Sequence, residues 1–401
     1  MISGQRLGLA IFALGAPLCV LAAALDPGSA RSAAAQDWPA FVLVAGLLLV
    51  GVVASTAGIF EAAGERLSRL RVKETTRFVC AAALIGVVSA ILNLDTAAAF
   101  VTPVLVHMVR KRGAPEAPVL YGCLLLTNAG SLLLPGSNLT NLIVAGHLHL
   151  AGAGFAWRMA PVWVVSLVVT GLVIAFAHRR DLRQVPVRPV PARPVPTRAV
   201  PVRAITAAPA RTARPRPSSS ALVAGAAVIA TGILVVVLHN AAIPVVSIGA
   251  MAASIALYRK RLDFAGLAKA VDLPILTGLL GIAIALGTLG RTWDLPTRVL
   301  AHLDGFATAG FAAVASVLFN NLPAASLLAA RVPPHPYSLL VGLDLGPNLF
   351  VTGSLSALLW IRAARAAGAE PSVRHTAVLG IVAAPVAIVA AVGVLTATSL
   401  H

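Results

Sequence analysis

Seven apolar stretches dominate this chain: residues 7–25, 38–58, 160–177, 220–238, 241–257, 272–290 and 376–399. A helix rises about 1.5 Å per residue, so roughly 20 apolar residues cross the ~30 Å hydrocarbon core of a bilayer. Of the 401 residues, 58% are hydrophobic and 11% are charged, whereas soluble domains carry roughly 25% charged residues. A chain with so few charges cannot cover a water-facing surface, so its solvent is lipid. Backbone groups in lipid must be bonded within a helix or a closed barrel. The period-two alternation of a barrel is absent, which predicts an all-α polytopic membrane protein. The stretch 7–25 follows Arg6 and imitates a secretion signal; it is read as a retained helix. Cys19, Cys80 and Cys123 lie in apolar segments, without metal or disulfide spacing.

The formal net charge of +17 suggests a nucleic-acid surface until the charges are located. Residues 179–219 hold ten Arg and one Asp, so they supply +9. From Val185 to Ala204 a five-residue unit recurs, beginning Val185-Pro186-Val187-Arg188-Pro189. Proline at this density forbids helix and sheet and predicts an extended, solvated linker, 181–218, whose arginines can rest on anionic headgroups. It divides the chain into membrane halves 1–180 and 219–401, and nucleic acid is not an expected partner. The other basic clusters, Arg66 to Arg77, Arg110-Lys111-Arg112, Arg259-Lys260-Arg261 and Arg362 with Arg365, mark cytoplasmic loops. The weakly charged connections near 26–37, 146–158 and 291–305 then face outward, and the N-terminus and linker are cytoplasmic.

The clusters at 66–77 and 110–112 share a side, yet about 30 apolar residues, 78–109, lie between them. The stretch must enter and leave on one face, as a re-entrant helical hairpin with Asn93-Leu94-Asp95-Thr96 at its tip. Such backbone is tolerated at membrane depth only where it lines protein or an aqueous cavity. A second hairpin is expected at 306–331, broken by Asn320-Asn321-Leu322-Pro323 and entering from the opposite face. Ser89-Ala90-Ile91-Leu92-Asn93 matches Ser316-Val317-Leu318-Phe319-Asn320, and Leu134-Pro135-Gly136-Ser137 matches Val351-Thr352-Gly353-Ser354. Two inverted repeats follow, each a hairpin and a broken transmembrane helix (119–145 and 337–361). This pattern places a site at the midplane between them.

The breaks carry the polar chemistry. An ionised carboxylate in a membrane helix costs about 2.5 to 3.5 kcal/mol on insertion scales. Asp95, beside Asn93 and Thr96, is therefore protonated, paired or bound to a cation; the bland alternative is a hydrogen-bonded brace. Asp344 carries the same argument, with Asn348, Thr352 and Ser354 downstream and Asn320 and Asn321 at the second tip. Asn128 and Ser131, then Ser137, Asn138 and Asn141, interrupt the other span around Pro135. Exposed N–H groups at such a break suit an anion and freed carbonyls suit a cation, while helix packing through Ser and Asn is the plain alternative. His147 and His149 read as loop polarity and His239-Asn240 as a turn. No phosphate-binding loop, nucleophile elbow, zinc motif or dinucleotide fingerprint is present, so the expectation is a carrier and not an enzyme, with no cofactor or metal.

The run Leu92-Asn93-Leu94-Asp95-Thr96-Ala97-Ala98 ending in Thr102-Pro103 resembles a motif of the arsenite permease family. That family belongs to a superfamily that includes NhaD-type antiporters, divalent anion:sodium symporters and citrate carriers. Ser137-Asn138-Leu139-Thr140-Asn141, Asn320-Asn321-Leu322-Pro323 and Asp344-Leu345-Gly346-Pro347 are similar to further motifs of the family. Leu94, Thr96 and Asn348 depart from it, standing where permeases usually have Asn, Gly and often Lys. The resemblance implies an elevator-type carrier in the bacterial inner membrane, driven by H+ or Na+ and expected to dimerise. It implies efflux of arsenite or antimonite, or alternatively sodium-coupled transport of a dicarboxylate, citrate or inorganic oxyanion, or sodium/proton antiport. The absence of Lys or Arg beside the tips suits a neutral metalloid hydroxide. A separate ATPase partner stays open.

Overall fold

The computed structural model describes residues 4–146, 148, 151–183 and 219–398. The Pro/Arg repeat, His147 and His149 lie outside the described residues. Among these residues every regular element is helical, and seven helices are long and apolar enough to cross a membrane.

The first half runs α1 (Gly4–Leu25), α2 (Pro27–Thr56), α3 (Ile59–Arg69), α4 (Glu74–Leu92), α5 (Leu94–Thr96), a π turn (Ala97–Val101), α6 (Thr102–Lys111), α7 (Ala117–Gly130), α8 (Leu139–Ala145) and α9 (Gly152–Ala177). The second runs α10 (Ser219–Val237), α11 (Ala242–Tyr258), α12 (Phe264–Val271), α13 (Leu273–Thr292), α14 (Leu295–Ala301), α15 (Gly305–Phe319), α16 (Asn321–Leu328), α17 (Pro336–Leu345), α18 (Leu355–Ala366) and α19 (Val373–Thr398). The apolar stretches become helices within a few residues of their expected limits. Three expected connections are partly helical: α9 starts at Gly152 inside 146–158, α14 lies inside 291–305, and 26–37 is mostly the first three turns of α2. Asp26 accepts a hydrogen bond from Ser29 N at 2.9 Å and Pro27 fills the first turn, so the polar run starts a helix.

Both expected hairpins are helix–break–helix units. Asn93 interrupts the first at φ 84°, ψ 164°, and Asn320 the second at φ 73°, ψ 150°. This backbone region is almost exclusive to glycine and costs of order 1–3 kcal/mol, yet it recurs at two residues aligned by sequence alone. At Asn93 the side chain offsets part of that cost by accepting from Thr96 N at 2.8 Å. The open end of the first hairpin is tied by Arg112, which donates to Glu74 Oε1 at 2.9 Å and to Ser68 O at 2.8 Å. Its two arms thus begin and end together. Buried Arg77 braces the preceding turn by donating to the carbonyls of Leu67 and Leu70.

The charged ends sort onto two sides. On one, Lys111 pairs with Glu65, and Arg110 donates to Ala367 O and Gly368 O. On the other, Gln36 donates to Ile143 O and Ala329 O, and Arg331 pairs with Asp294. The second hairpin opens toward that other side.

Two groups of helices result. A frame forms where α1 lies along α13 and α2 along α11. A Cβ on Gly15 would lie 1.9 Å from Gly278 O, and one on Gly249 would lie 2.7 Å from Gly46 O. At these seams backbone meets backbone, the close approach that small residues permit in membranes. A block holds the two hairpins, α7, α8, α17 and α18, with α9 packed along α19. Within it the hairpin–helix contact is made twice alike: Gly86 and Ser89 rest on Gly130, and Ala313 and Ser316 on Gly346. Leu25, Phe176, Leu222, Ile229 and Val389 stay exposed, as lipid-facing side chains do.

Candidate functional site

The break between α7 and α8 is satisfied by its own side chains. The Ser137 hydroxyl donates to Ser131 O and Leu134 O, and Asn141 Nδ2 donates to the same carbonyls at 2.7 and 3.2 Å. Asn138 adopts extended backbone, φ −151°, ψ 145°, and its Oδ1 caps Thr140 N at 3.3 Å. In the second half Ser354, at φ −150°, ψ 154°, opens α18 in the same conformation. Geometry therefore equates Asn138 with Ser354, one residue on from the Ser137–Ser354 match in sequence.

Asp344, at 1% exposure, ends α17 and faces the first break. Its Oδ1 accepts from Asn138 Nδ2 at 2.8 Å and from Thr140 Oγ1 at 2.6 Å, and Oδ2 faces Ser131 Oγ at 3.3 Å. Ser131 donates its hydrogen at shorter range, to Asn128 O at 2.7 Å. One helical turn on, Asn348 Oδ1 accepts from Asn128 Nδ2 at 2.7 Å, while its own amide donates to Leu125 O at 3.1 Å. A carboxylate from one half is thus held by hydroxyl and amide donors of the other, and among the described residues no basic side chain bonds to it. Such a carboxylate can be neutralised by a proton or by a small cation.

The remaining expected residues form two tips around this centre. At the first, Asn93 and Thr96 are buried and Asp95 is partly exposed. Ser89 Oγ, Asn93 Nδ2 and Thr96 Oγ1 are buried without partners, as is Asn141 Oδ1 in the break. An orphaned buried polar group costs about 1–3 kcal/mol, and four of the ten such atoms among the described residues gather at this tip and break. At the second tip, Asn321 N donates to Gly353 O at 2.9 Å and Asn320 Nδ2 to Thr352 O at 3.3 Å. Asn321 and Ser354 are buried, Asn320 is partly exposed and Thr352 is exposed; Ser354 and Ser356 share a hydrogen bond. The tips meet the centre crosswise, α18 packing on α5 and the π turn, and α16 on α8.

Thr140, not among the residues expected from sequence, makes the shortest bond to Asp344; its place in the run Ser137–Asn141 was its signal. Asp37, an acid 2% exposed inside α2, lies in the polar run that reads as a connection in the sequence.

The citrate transporter (CitMHS) family model matches residues 1–351, from α1 into the second break. The chain belongs to the citrate transporter family. As a member of that family it is a multi-pass membrane transporter. Inner membrane protein YbiR of Escherichia coli K12 is 30% identical over 128 residues, 32% of this chain and 34% of YbiR. The arsenical pump membrane protein of the same strain is 25% identical over 175 residues, 43% of this chain and 41% of the pump protein. The matched stretches therefore span well under half of these relatives. The transporter YdaH of Alcanivorax borkumensis, a structure of unusual topology, superposes with a TM-score of 0.55 at 13% identity, covering 98% of this chain and 97% of that one. At that identity the likeness is one of fold.

Proposed function

We propose that this transporter is an ion-coupled secondary carrier of arsenite or antimonite, working by an elevator-type movement of the hairpin-and-broken-helix block against the frame. The observation that carries the reading is Asp344, held across the two halves by Asn138 and Thr140 with no basic partner. Proton or Na+ exchange at Asp344 changes the charge in a centre where charge is costly, and so links ion occupancy to the fit of the halves. A neutral metalloid hydroxide needs hydroxyl and amide contacts but no Arg clamp. Asn93 Nδ2, Thr96 Oγ1 and Asn141 Oδ1 are buried contacts of that kind still without partners. The hairpins are re-entrant in this reading, the halves are inverted repeats, and the side carrying Arg110 and Lys111 is cytoplasmic. Homodimers are expected.

A second reading, a sodium-coupled carrier of citrate or another small anion, is favoured by the family's description and by the Asn93 amide, a buried donor without an acceptor. Everted vesicles energised with a proton or a sodium gradient, and assayed with arsenite, antimonite, citrate and dicarboxylates, separate the two. Arsenite accumulation with no citrate uptake supports the first. Citrate uptake without arsenite uptake replaces it with the second.

A further inference from the structure

On the side opposite the basic loops, one cluster ties the frame to the block. The Gln36 amide, on α2, donates at 3.1 Å to Ile143 O and at 3.1 Å to Ala329 O. Those carbonyls belong to the last turn of α8 and to the cap of α16, where helices leave groups without intrahelical partners. They come from opposite halves of the chain, and both helices lead back to the site, α8 through Thr140 and α16 through Asn321. Gln36 Oε1 in turn accepts from Arg291 on α13, which also donates to Gly287 O at 2.8 Å. Arg331, just past α16, donates to Arg291 O and pairs with Asp294 at 2.7 Å. Close approach of Gly287 and Ala33 holds α2 to α13, so the pair acts as a fixed post.

We propose that Gln36 and Arg291 are positioning residues for transport. They hold the far ends of α8 and α16 to the α2–α13 post and set how fast the block leaves this arrangement. Neither residue touches the Asp344 centre. The proposal rests on the carrier reading, since only a moving block needs such a hold to be released. Gln36→Glu is the informative variant: it keeps the size and the acceptor for Arg291, but loses both donated bonds and sets a carboxylate against two carbonyls. Gln36→Met keeps the length and removes every polar contact.

The experiment compares hydrogen–deuterium exchange of residues 141–146 and 326–331 in both variants and the parent, with no substrate added. Losing two neutral hydrogen bonds raises local opening there by roughly ten- to thirtyfold, and transport measured per inserted protein changes in Vmax with KM held. Unchanged exchange at both helix ends in both variants overturns the proposal. Faster exchange with unaltered Vmax overturns it too, because the hold then sets no rate. Faster exchange in a protein that moves no substrate in any form sinks the carrier reading while leaving the structural hold in place, so the two failures are distinguishable.

Discussion

Replacing Asp344 by Asn separates coupling from shape. The amide is nearly isosteric with the carboxyl: Oδ1 goes on accepting from Asn138 and Thr140, and Nδ2 takes the place of the atom 3.3 Å from Ser131 Oγ. Because the Ser131 hydrogen is already given to Asn128 O, its oxygen can accept from the new amide. Bonds to a charged group are worth about 1.5–3 kcal/mol and neutral ones about 0.5–1.5. The exchange therefore costs at most a few kcal/mol, and removing a buried charge returns several kcal/mol of desolvation. The folded protein should survive with a melting temperature at or above that of the parent. Coupling should not survive. Each coupled proton moving down one pH unit supplies about 1.4 kcal/mol, roughly a tenfold concentration ratio. In vesicles with an imposed gradient the parent should accumulate substrate by roughly that factor per proton. The Asp344→Asn carrier should reach equal concentrations on both sides, still exchanging substrate. The same comparison under a sodium gradient identifies the ion. Parent-like accumulation by the variant under both gradients would falsify the assignment of Asp344 as the coupling residue.

Further outcomes follow from single contacts. Asn93→Gly should keep the melting temperature within a degree or two, because relief of about 1–3 kcal/mol of backbone strain offsets the lost cap to Thr96 N, worth about 0.5–2 kcal/mol. Asn93→Ala keeps the strain and loses the cap, so differential scanning fluorimetry should show it several degrees lower. Gly15→Ala should give little folded, monodisperse protein on fluorescence-detected size exclusion, since its Cβ would sit 1.9 Å from Gly278 O. Arg112→Ala opens the base of the first hairpin, and limited proteolysis should cut near residues 70–74 or 112–116 faster than in the parent. The stability cost should be near 1 kcal/mol, because the Arg112–Glu74 pair is partly exposed at 25% and 11%.

The hairpins were legible because charge and length conflict in the sequence. Two basic clusters with a 30-residue apolar run between them called for a break within that run, and Asn93 supplies it between α4 and α5. Asn93 and Asn320 were legible as an aligned pair, and both adopt a backbone that side chains seldom enter. Both expected spans, 119–145 and 337–361, are interrupted, and the like backbone of the N-caps pairs Asn138 with Ser354, one residue from the sequence match. The shared Gly-Ser drew the match to Ser137 and Ser354. The chain, however, spends Pro135–Ser137 on a tight turn and starts α8 only after Asn138. Asp37 and Gln36 were illegible for another reason. A polar run rich in Ala reads as a loop until Arg291, 255 residues away, supplies the hydrogen bond that Gln36 accepts.

The two kinds of seam explain why a carrier could move without coming apart. Along α1–α13 and α2–α11 backbone touches backbone at Gly15, Gly46, Gly249 and Gly278, so sliding would drive carbonyls into neighbouring chain. On the side opposite the basic loops, the frame meets the block at one such close approach, Gly290 of α13 against Leu327 O of α16, and through side-chain hydrogen bonds at Gln36, each worth about 1 kcal/mol and able to re-form elsewhere. Between the halves of the block the hold is Asp344, whose strength depends on whether it carries charge. In the proposed carrier, glycine seams fixed by shape, exchangeable bonds at Gln36 and a charge-dependent hold at Asp344 form an order of increasing responsiveness. That order predicts where substitutions act: glycine seams alter folding, Gln36 alters rate, and Asp344 alters coupling.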